Sequence, residues 1–348
     1  MDFSIAAILA QDGLTSGAIY ALLALALVLV FSVTRVIFIA QGEFVAYGAL
    51  TLAALQAHQF PNAALLLVGL GVAAFVQELF GWVRRRPHDW RGIARAFAHC
   101  VLLPLLVLAA ARYAGATELP MVAQVMLTLA IVMPIGPLVY RLAFAPLAEA
   151  STLVLLIVSV GVHFALLGAG LVMFGAEGAR TAAFSDLMLQ WGSLQLSGQS
   201  LVIVGSTVVL LIALYGYFDL TLAGKALRAT AINRRGAQLV GIGTAQAGRT
   251  AFTLAAGLGA LCGILIAPLT TVYYDSGFLI GLKGFVGAII GALASYPLAA
   301  AGAVLVGVLE SYASFWASAF KEVIVFTLII PVLLWRSLSA GASDEGEH

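Results

Sequence analysis

The chain has 348 residues, of which 62% are hydrophobic and only 9% are charged, with a formal net charge of +1. A soluble domain carries about 25% charged residues, so this composition excludes that class and predicts an all-α, polytopic integral membrane protein. The nearly neutral charge, without basic runs among aromatic residues, gives no indication of nucleic-acid binding.

Apolar intervals without charges predict about eleven membrane segments, since about 20 apolar residues cross the hydrocarbon core. Turn signals at Phe60-Pro61-Asn62 and Ser295-Tyr296-Pro297 divide two of the intervals. One or two of the resulting segments are candidates for re-entrant rather than spanning structure. The intervals are 13–34, 44–77 (divided), 96–111, 119–140, 150–176, the later part of 187–218, 250–274, 284–309 (divided) and 323–335.

Loop charges predict the orientation. With the N-terminus outside, 13 of the 17 lysines and arginines lie in cytoplasmic regions, and Arg112, Arg180 and Lys321 lie outside. Because cytoplasmic loops carry the excess of basic residues, we expect the N-terminus outside and the C-terminus inside. The loop 175–198 is then extracytoplasmic, and the basic loop 219–249 is cytoplasmic.

The loop 219–249 holds five basic residues against one acid, Asp219. Its middle predicts two short helices, 224–232 and 234–240, with Asn233 as N-cap of the second. Gly241 and Gly243 follow as a C-terminal stop. The loop is either a connector that is basic because it is cytoplasmic, or a docking element for a soluble motor protein.

Residues that could perform chemistry are few. The histidines show no metal-ligand spacing, the cysteines Cys100 and Cys262 lie in apolar segments, and no Gly-x4-Gly-Lys-Ser/Thr loop is present. We interpret His163, inside an apolar segment, as a hydrogen-bonded interhelical residue in preference to a proton relay. The sequence therefore predicts no catalytic residue, metal site or cofactor in this chain.

Two polar interruptions are candidates for a solute path. The first contains Gln41, Gly42 and Glu43, and is either a cytoplasmic turn or an unwound segment lining a path. In the second, 277–284, Lys283 either contacts solute, or snorkels or pairs with Asp275. The Gly-x3-Gly spacings at 13/17, 259/263, 277/281 and 287/291 predict close helix packing.

Four stretches resemble the membrane subunit of branched-chain amino-acid ABC importers, the LivH/LivM type. They are 17–22 with 38–44, then 138–147, then 224–231 with 239–242, and finally 277–297 ending in Gly291-Ala292-Leu293-Ala294-Ser295-Tyr296-Pro297. The third is similar to the family's ATPase-facing loop, which implies coupling roles for Gly224, Lys225, Arg228, Ala229, Asn233, Arg235 and Gly241. The first and fourth imply a translocation path through Tyr20, Gln41, Gly42, Glu43, Gly281 and Lys283.

The sequence departs from that family in two ways. The family usually has Asn and His at the positions of Phe38 and Gln41. Residues 61–117 also look like an insertion of two apolar segments around Arg84-Arg85-Arg86. We interpret the insertion as a lipid-facing hairpin, with contact to an additional partner as the alternative.

The resemblance implies a permease subunit in a bacterial inner membrane, in contact with lipid. It would pair with a second homologous permease, receive cargo from a periplasmic binding protein, and be driven by two ATPase subunits that carry the ATP and magnesium. The competing class is a stand-alone secondary transporter or channel for a small polar solute, which predicts charged residues within the spans for ion coupling. The spans look nearly free of them, and the solute itself is not readable from the sequence.

Overall fold

A computed structural model describes residues 3–84, 90–115, 117–191 and 194–334. Within these ranges, eight helices are long and apolar enough to cross a membrane. The chain is therefore a polytopic helical membrane protein, as its composition predicts. Arg85, Arg86 and the tail from Trp335 lie outside the described residues.

The helices cover the predicted segments, but several bounds differ by up to ten residues: the first helix begins at Phe3 and not at 13, and the helix predicted to end at 274 ends at Ile266. In chain order they are α1 (Phe3–Thr34), α2 (Glu43–Gln56), α3 (Ala63–Arg84), α4 (Trp90–Phe97), α5 (Leu103–Ala114), α6 (Met121–Val132), α7 (Ile135–Val139), α8 (Thr152–Phe174), α9 (Gly198–Leu220), α10 (Leu222–Ile232), α11 (Arg234–Leu239), α12 (Thr244–Ile266), α13 (Ser276–Ile290), α14 (Tyr296–Ala317) and α15 (Lys321–Thr327). Single turns of π-helix at Ala98–Leu102 and Tyr140–Phe144 continue α4 into α5 and extend α7.

Helix α1 is the centre of the bundle, and every residue from 17 to 30 is buried. It packs against α12 and α13, and most extensively against α14. Gly13 and Gly17 permit the close approach of α14, since a Cβ atom at Gly13 would lie 2.6 Å from Val308 Cα. The small residues in this interface bring the two backbones together, as the Gly-x3-Gly spacing predicts.

The segment between α1 and α2 lies inside the bundle. After Arg35 the chain is non-helical until a 3₁₀ turn at Ile39–Gly42, and the Ile39 amide donates to Ser159 Oγ (2.8 Å) in the middle of α8. Helix α2 then has 14 residues, about 21 Å, and is too short to cross the hydrocarbon core. It begins inside the bundle, and its last residue, Gln56, accepts from the Ala182 amide (2.9 Å) in the 175–198 loop. Because that loop contacts the beginning of α1, the segment 35–56 traverses the bundle as an extended piece followed by a short helix, and it is not re-entrant.

Aromatic rings pack around the segment between α1 and α2. The Phe38 ring centroid lies 4.7 Å from that of Phe252 and 5.9 Å from those of Phe44 and Phe144. Phe38 is 1% exposed. This packing gives Phe38 a structural role at a position where the resembling family usually has Asn.

Helix α13 differs from the prediction for 277–284. That stretch is regular α-helix from Ser276 onward, not an unwound break. The interruption lies after it, where Ala292 and Leu293 adopt left-handed φ angles of 56° and 54° before α14 begins. The Ser295-Tyr296-Pro297 signal thus marks a real division, with Pro297 in the first turn of α14.

Loop contacts group the polar segments at two ends of the bundle. At the first end, where α1 begins, a hairpin of strands β1 (Met188–Trp191) and β2 (Leu194–Ser197) lies in the 175–198 loop, and Gln11 Nε2 donates to the Gln195 carbonyl (3.1 Å). At the second end, where α1 ends, Arg234 donates to the Ala148 carbonyl (3.0 Å). The basic loops 141–149 and 219–249 therefore share the second end. Which end faces the cytoplasm stays the charge-based prediction.

Within 61–117, the described residues form the helices α3 and α4–α5, which pack together on the flank of the bundle. Arg141, beyond α7, binds Glu78 of α3 and donates to Cys100 Sγ (3.1 Å) between α4 and α5. These flank helices also pack on α6 and α7. They are thus fixed to the bundle by a charged contact at the second end, while many of their apolar side chains remain exposed.

Candidate functional site

The predicted path residues fall into two clusters, one on each side of α13. Lys283, 6% exposed, belongs to the first cluster. Its Nζ lies 2.5 Å from Glu310 Oε1 on α14 and 3.2 Å from Glu322 Oε1 on α15. The Tyr20 hydroxyl on α1 donates to Glu310 Oε2 (2.7 Å). Three helices, α1, α14 and α15, thus place polar groups around the lysine of α13.

The proposed pairing of Lys283 with Asp275 is wrong. Asp275 precedes α13, and eight residues of helix separate the two positions by about 12 Å. The carboxylates of Glu310 and Glu322 lie directly across the helix interface instead. Lys283 is therefore bound inside the bundle and does not extend to the membrane surface.

A polar cavity of about 420 Å³ lies next to this first cluster, between the first turns of α1 and the last turns of α14. Glu310 belongs to both the cluster and the cavity wall. The other polar residues that line the cavity are Asp12, Ser16, Ser311 and Ser314. Ionisable groups at membrane depth face a protein interior or water, so this cavity is a candidate position for contact with a polar solute.

The second cluster contains Gln41, Gly42 and Glu43, all buried. Gln41 Nε2 donates to the Ala255 carbonyl (2.8 Å) on α12. Glu43 Oε1 lies 3.0 Å from His163 Nδ1 on α8, although neither atom completes a hydrogen bond of good geometry. His163 thus contacts a carboxylate on another helix, 120 residues away, but its Nδ1 does not form the hydrogen bond that we expected from the sequence.

Glycines allow the second cluster to pack directly against α13. A Cβ atom at Gly281 would lie 2.7 Å from Gly42 Cα, and one at Gly42 would overlap the Gly277 carbonyl. The two backbones therefore touch, and Gln41 is 1% exposed. In this conformation the cluster is packed and closed to solvent.

The predicted coupling residues form a helix pair at the second end. Asn233 caps α11, since its side chain accepts from the Gly236 amide (2.9 Å), and Gly241 ends the pair with a φ of 84°. Thr221, which the sequence reading missed, caps α10 by accepting from the Gly224 amide (2.9 Å). Gly224 packs against the end of α9, where a Cβ atom would lie 2.6 Å from Phe218 Cα.

The outer surface of this helix pair is apolar as well as basic. Leu222 and Leu239 are 87% and 88% exposed, and further exposed apolar side chains are Leu220, Ile232 and Val240. Lys225, Arg228 and Arg235 are exposed among them, and Ala229 is half-buried. Arg228 also lies 3.6 Å from Asp219. Large exposed apolar groups with a charged border are typical of a surface that binds another protein.

Comparison with known proteins identifies the family. Residues 9–333 match the family described as branched-chain amino acid transport system / permease component. The chain is 26% identical over 333 residues to the high-affinity branched-chain amino acid transport system permease protein LivH of Salmonella typhimurium, covering 93% of this chain and 91% of that protein.

Two other relatives match this chain over shorter stretches. LivH of Escherichia coli K12 is 29% identical, covering 56% of this chain and 65% of its own length. The permease protein BraD of Pseudomonas aeruginosa is 28% identical, covering 58% and 68%. No solved structure matches the chain. Because the family match spans nearly the whole sequence, the chain belongs to the family of branched-chain amino acid transport system permease components.

Proposed function

We propose that this chain is the membrane-spanning permease subunit of an ABC importer. It translocates branched-chain or related small amino acids, delivered by a periplasmic binding protein, across a bacterial inner membrane. Separate ATPase subunits bind ATP and magnesium, and a second homologous permease completes the membrane domain. The relatives' names supply the substrate class, since LivH and BraD are named as branched-chain amino acid transport permeases.

The surface of the α10–α11 helix pair is the observation that carries this proposal. Leu222 and Leu239 are exposed on the helices that follow the spanning helix α9, and each apolar side chain contributes about 1.5–3 kcal/mol when a partner buries it. An ATPase subunit that covers these side chains recovers that free energy. The exposed Lys225 and Arg235 would then contact carboxylates of the same partner.

The polar cavity beside Lys283 supports a path through the first-end half of the bundle. Tyr20 and Lys283 both contact Glu310, and Glu310 lines the cavity. We propose that solute passes this cavity, and that the packed contact of Gln41, Gly42 and Gly281 separates it from the second end until α13 moves. Glu43 lies at this contact, beside His163.

One specific observation favours the competing class of ion-coupled secondary transporter. The spans are not nearly free of ionisable groups, contrary to the expectation from the sequence. Five such groups lie among the transmembrane helices: Lys283, Glu310, Glu322, Glu43 and His163. Ion-coupled transporters place such groups near the bilayer midplane. The exposed α10–α11 surface has no role in that class, so the ABC importer remains the better account.

Reconstitution in proteoliposomes distinguishes the two classes. The chain is purified with its ATPase subunits, the second permease and the binding protein, and uptake of radiolabelled leucine is measured. An importer requires ATP and binding protein, and continues when ionophores collapse the ion gradients. Uptake by this chain alone, abolished by ionophores and indifferent to ATP, would overturn the proposal.

A further inference from the structure

A deep apolar crevice lies between α1, α9, α10, α12 and α14, apart from both polar clusters. Its volume is about 740 Å³, and among its wall residues are Leu25, Leu29, Leu214, Phe218 and Leu258. Arg35 and Arg228 also line it. Since Arg35 follows the end of α1 and Arg228 lies on α10, both arginines stand at its second-end mouth.

The crevice has the depth of one membrane leaflet. From Leu25 to Arg35, α1 and the residue after it advance about 15 Å, half the thickness of the hydrocarbon core. The crevice therefore extends from the middle of the bilayer to the headgroup level at the second end. Apolar walls at this depth face hydrocarbon, and a polar solute such as an amino acid would lose its hydration there without compensation.

The mouth of the crevice carries a net positive charge. Arg35 is exposed, and it adopts a left-handed φ of 62° at the end of α1. Arg228 lies 3.6 Å from Asp219, and both side chains are about half exposed, at 50% and 51%. Two guanidinium groups and one carboxylate leave a net charge of about +1, which complements a phosphate headgroup.

We propose that the crevice binds one acyl chain of an anionic phospholipid, with the lipid phosphate held by Arg35 and Arg228. If the second end is cytoplasmic, as the loop charges predict, the lipid comes from the leaflet whose surface is negatively charged. The inference does not depend on the transported solute or on the ATPase partners.

The position of this lipid gives it a structural role. Leu227 and Ala231 of α10 line the same crevice as Leu29 of α1. A bound acyl chain would therefore fill the space between α10 and the central helix. Lipid composition would then affect how firmly α10 is held, and with it any signal that passes through the α10–α11 pair.

Native mass spectrometry of the purified full-length chain tests the proposal. Phosphatidylglycerol and phosphatidylcholine of the same acyl composition are titrated against wild type and the double variant Arg35→Gln/Arg228→Gln. We expect the apparent affinity for phosphatidylglycerol to fall about tenfold or more in the double variant, since each basic residue near a membrane contributes about 1 kcal/mol. Affinity for phosphatidylcholine should change little.

Two further variants separate a defined site from general attraction. Arg91→Gln removes an exposed arginine on α4 that does not line the crevice, and should leave phosphatidylglycerol binding unchanged. Ala231→Phe fills the crevice while keeping both arginines, and should weaken binding. Equal losses from Arg91→Gln and from the double variant would overturn the proposal, as would full binding by Ala231→Phe. Loss of the lipid when the two permeases assemble would show instead that the crevice is a subunit contact.

Discussion

Lys283 Nζ lies 2.5 Å from Glu310 Oε1, and this ion pair joins α13 to α14 inside the membrane-spanning bundle. Glu322 on α15 adds a second carboxylate at 3.2 Å. One cation thus balances two acids, and neither acid has another cation within ion-pairing distance among the described residues. Lys283 is therefore the group on which the charge balance of this region depends.

Replacing Lys283 with Met should destabilise the protein by about 2 kcal/mol or more, because it leaves two carboxylates without their cation in a largely buried site. Thermal unfolding in detergent or nanodiscs measures this as a lower Tm. Lys225→Met, the same change on the exposed face of α10, is the matched control and should have little effect. The double variant Lys283→Met/Glu310→Gln should recover part of the loss. A Lys283→Met protein as stable as the control would contradict this account of the cluster.

Thiol labelling tests the two parts of the proposed path separately. Ser311→Cys faces the polar cavity, and should react with small polar thiol reagents in the resting state. Gln41→Cys is buried, and should react only when ATP turnover separates α13 from the turn at Gly42. The native Cys100 and Cys262 are buried and give a low background. If Gln41→Cys stays inert in every nucleotide state, that segment is permanent core.

The contact between Gly281 and Gly42 predicts a steric effect. A methyl group at Gly281 has no space, so Gly281→Ala should lower the free energy of unfolding by about 1–3 kcal/mol. Gly161→Ala on α8 is the control, since nothing lies within 4 Å of a Cβ atom there. Removing a helical glycine should leave stability unchanged or raise it by up to about 1 kcal/mol. Equal thermal stabilities of the two variants would show that α13 and the turn at Gly42 are not tightly packed.

Fusion reporters test the orientation. A reporter active only in the cytoplasm should be active after Arg235 and silent near Glu177, because the basic loop 219–249 is predicted to stay inside. Alkaline phosphatase fused at the same two positions should give the opposite pattern. An active cytoplasmic reporter at Glu177 would reverse the orientation of the whole bundle.

Local signals in the sequence were sufficient to predict those helix bounds that are set by residues close together in the chain. Phe60-Pro61-Asn62 divides α2 from α3, and Asn233 caps α11, because a proline or a capping side chain acts within a few residues. The bounds of α10 and α11 agree with the prediction within two residues. Gly241 ends the pair for the same reason.

The contacts that assemble the candidate site could not be predicted in this way. Glu310 lies 27 residues from Lys283, and Glu43 lies 120 residues from His163, so no spacing rule brings either pair together. A signal was available for Glu310, since a lone acid inside the apolar stretch 296–317 requires a partner at membrane depth. The glycine-rich stretch 277–284 was wrongly predicted as a polar interruption, because glycine occurs both in broken helices and in tightly packed ones. In this protein the stretch is a tightly packed helix.

The α10–α11 pair contains residues whose substitution separates docking from folding. Gly224 is a poor test position, because any side chain there displaces α10 from the end of α9. Ala229 is half-buried, and Ala229→Leu adds bulk to the middle of α10 at less cost to its own packing. We expect Ala229→Leu to insert normally in the membrane while co-purifying less ATPase subunit than wild type.

Substrate-stimulated ATP hydrolysis in proteoliposomes tests the coupling role of the α10–α11 pair most directly. The assembled transporter carries Arg228→Glu/Arg235→Glu, and Arg95→Glu at the same end of the bundle is the control. We predict that the double reversal loses both co-purified ATPase subunits and stimulated hydrolysis, more severely at low ionic strength, where charge repulsion is less screened. The control should keep both. Wild-type hydrolysis by the double reversal and by Ala229→Leu would make the pair a basic connector, and coupling would then pass through the loop 141–149.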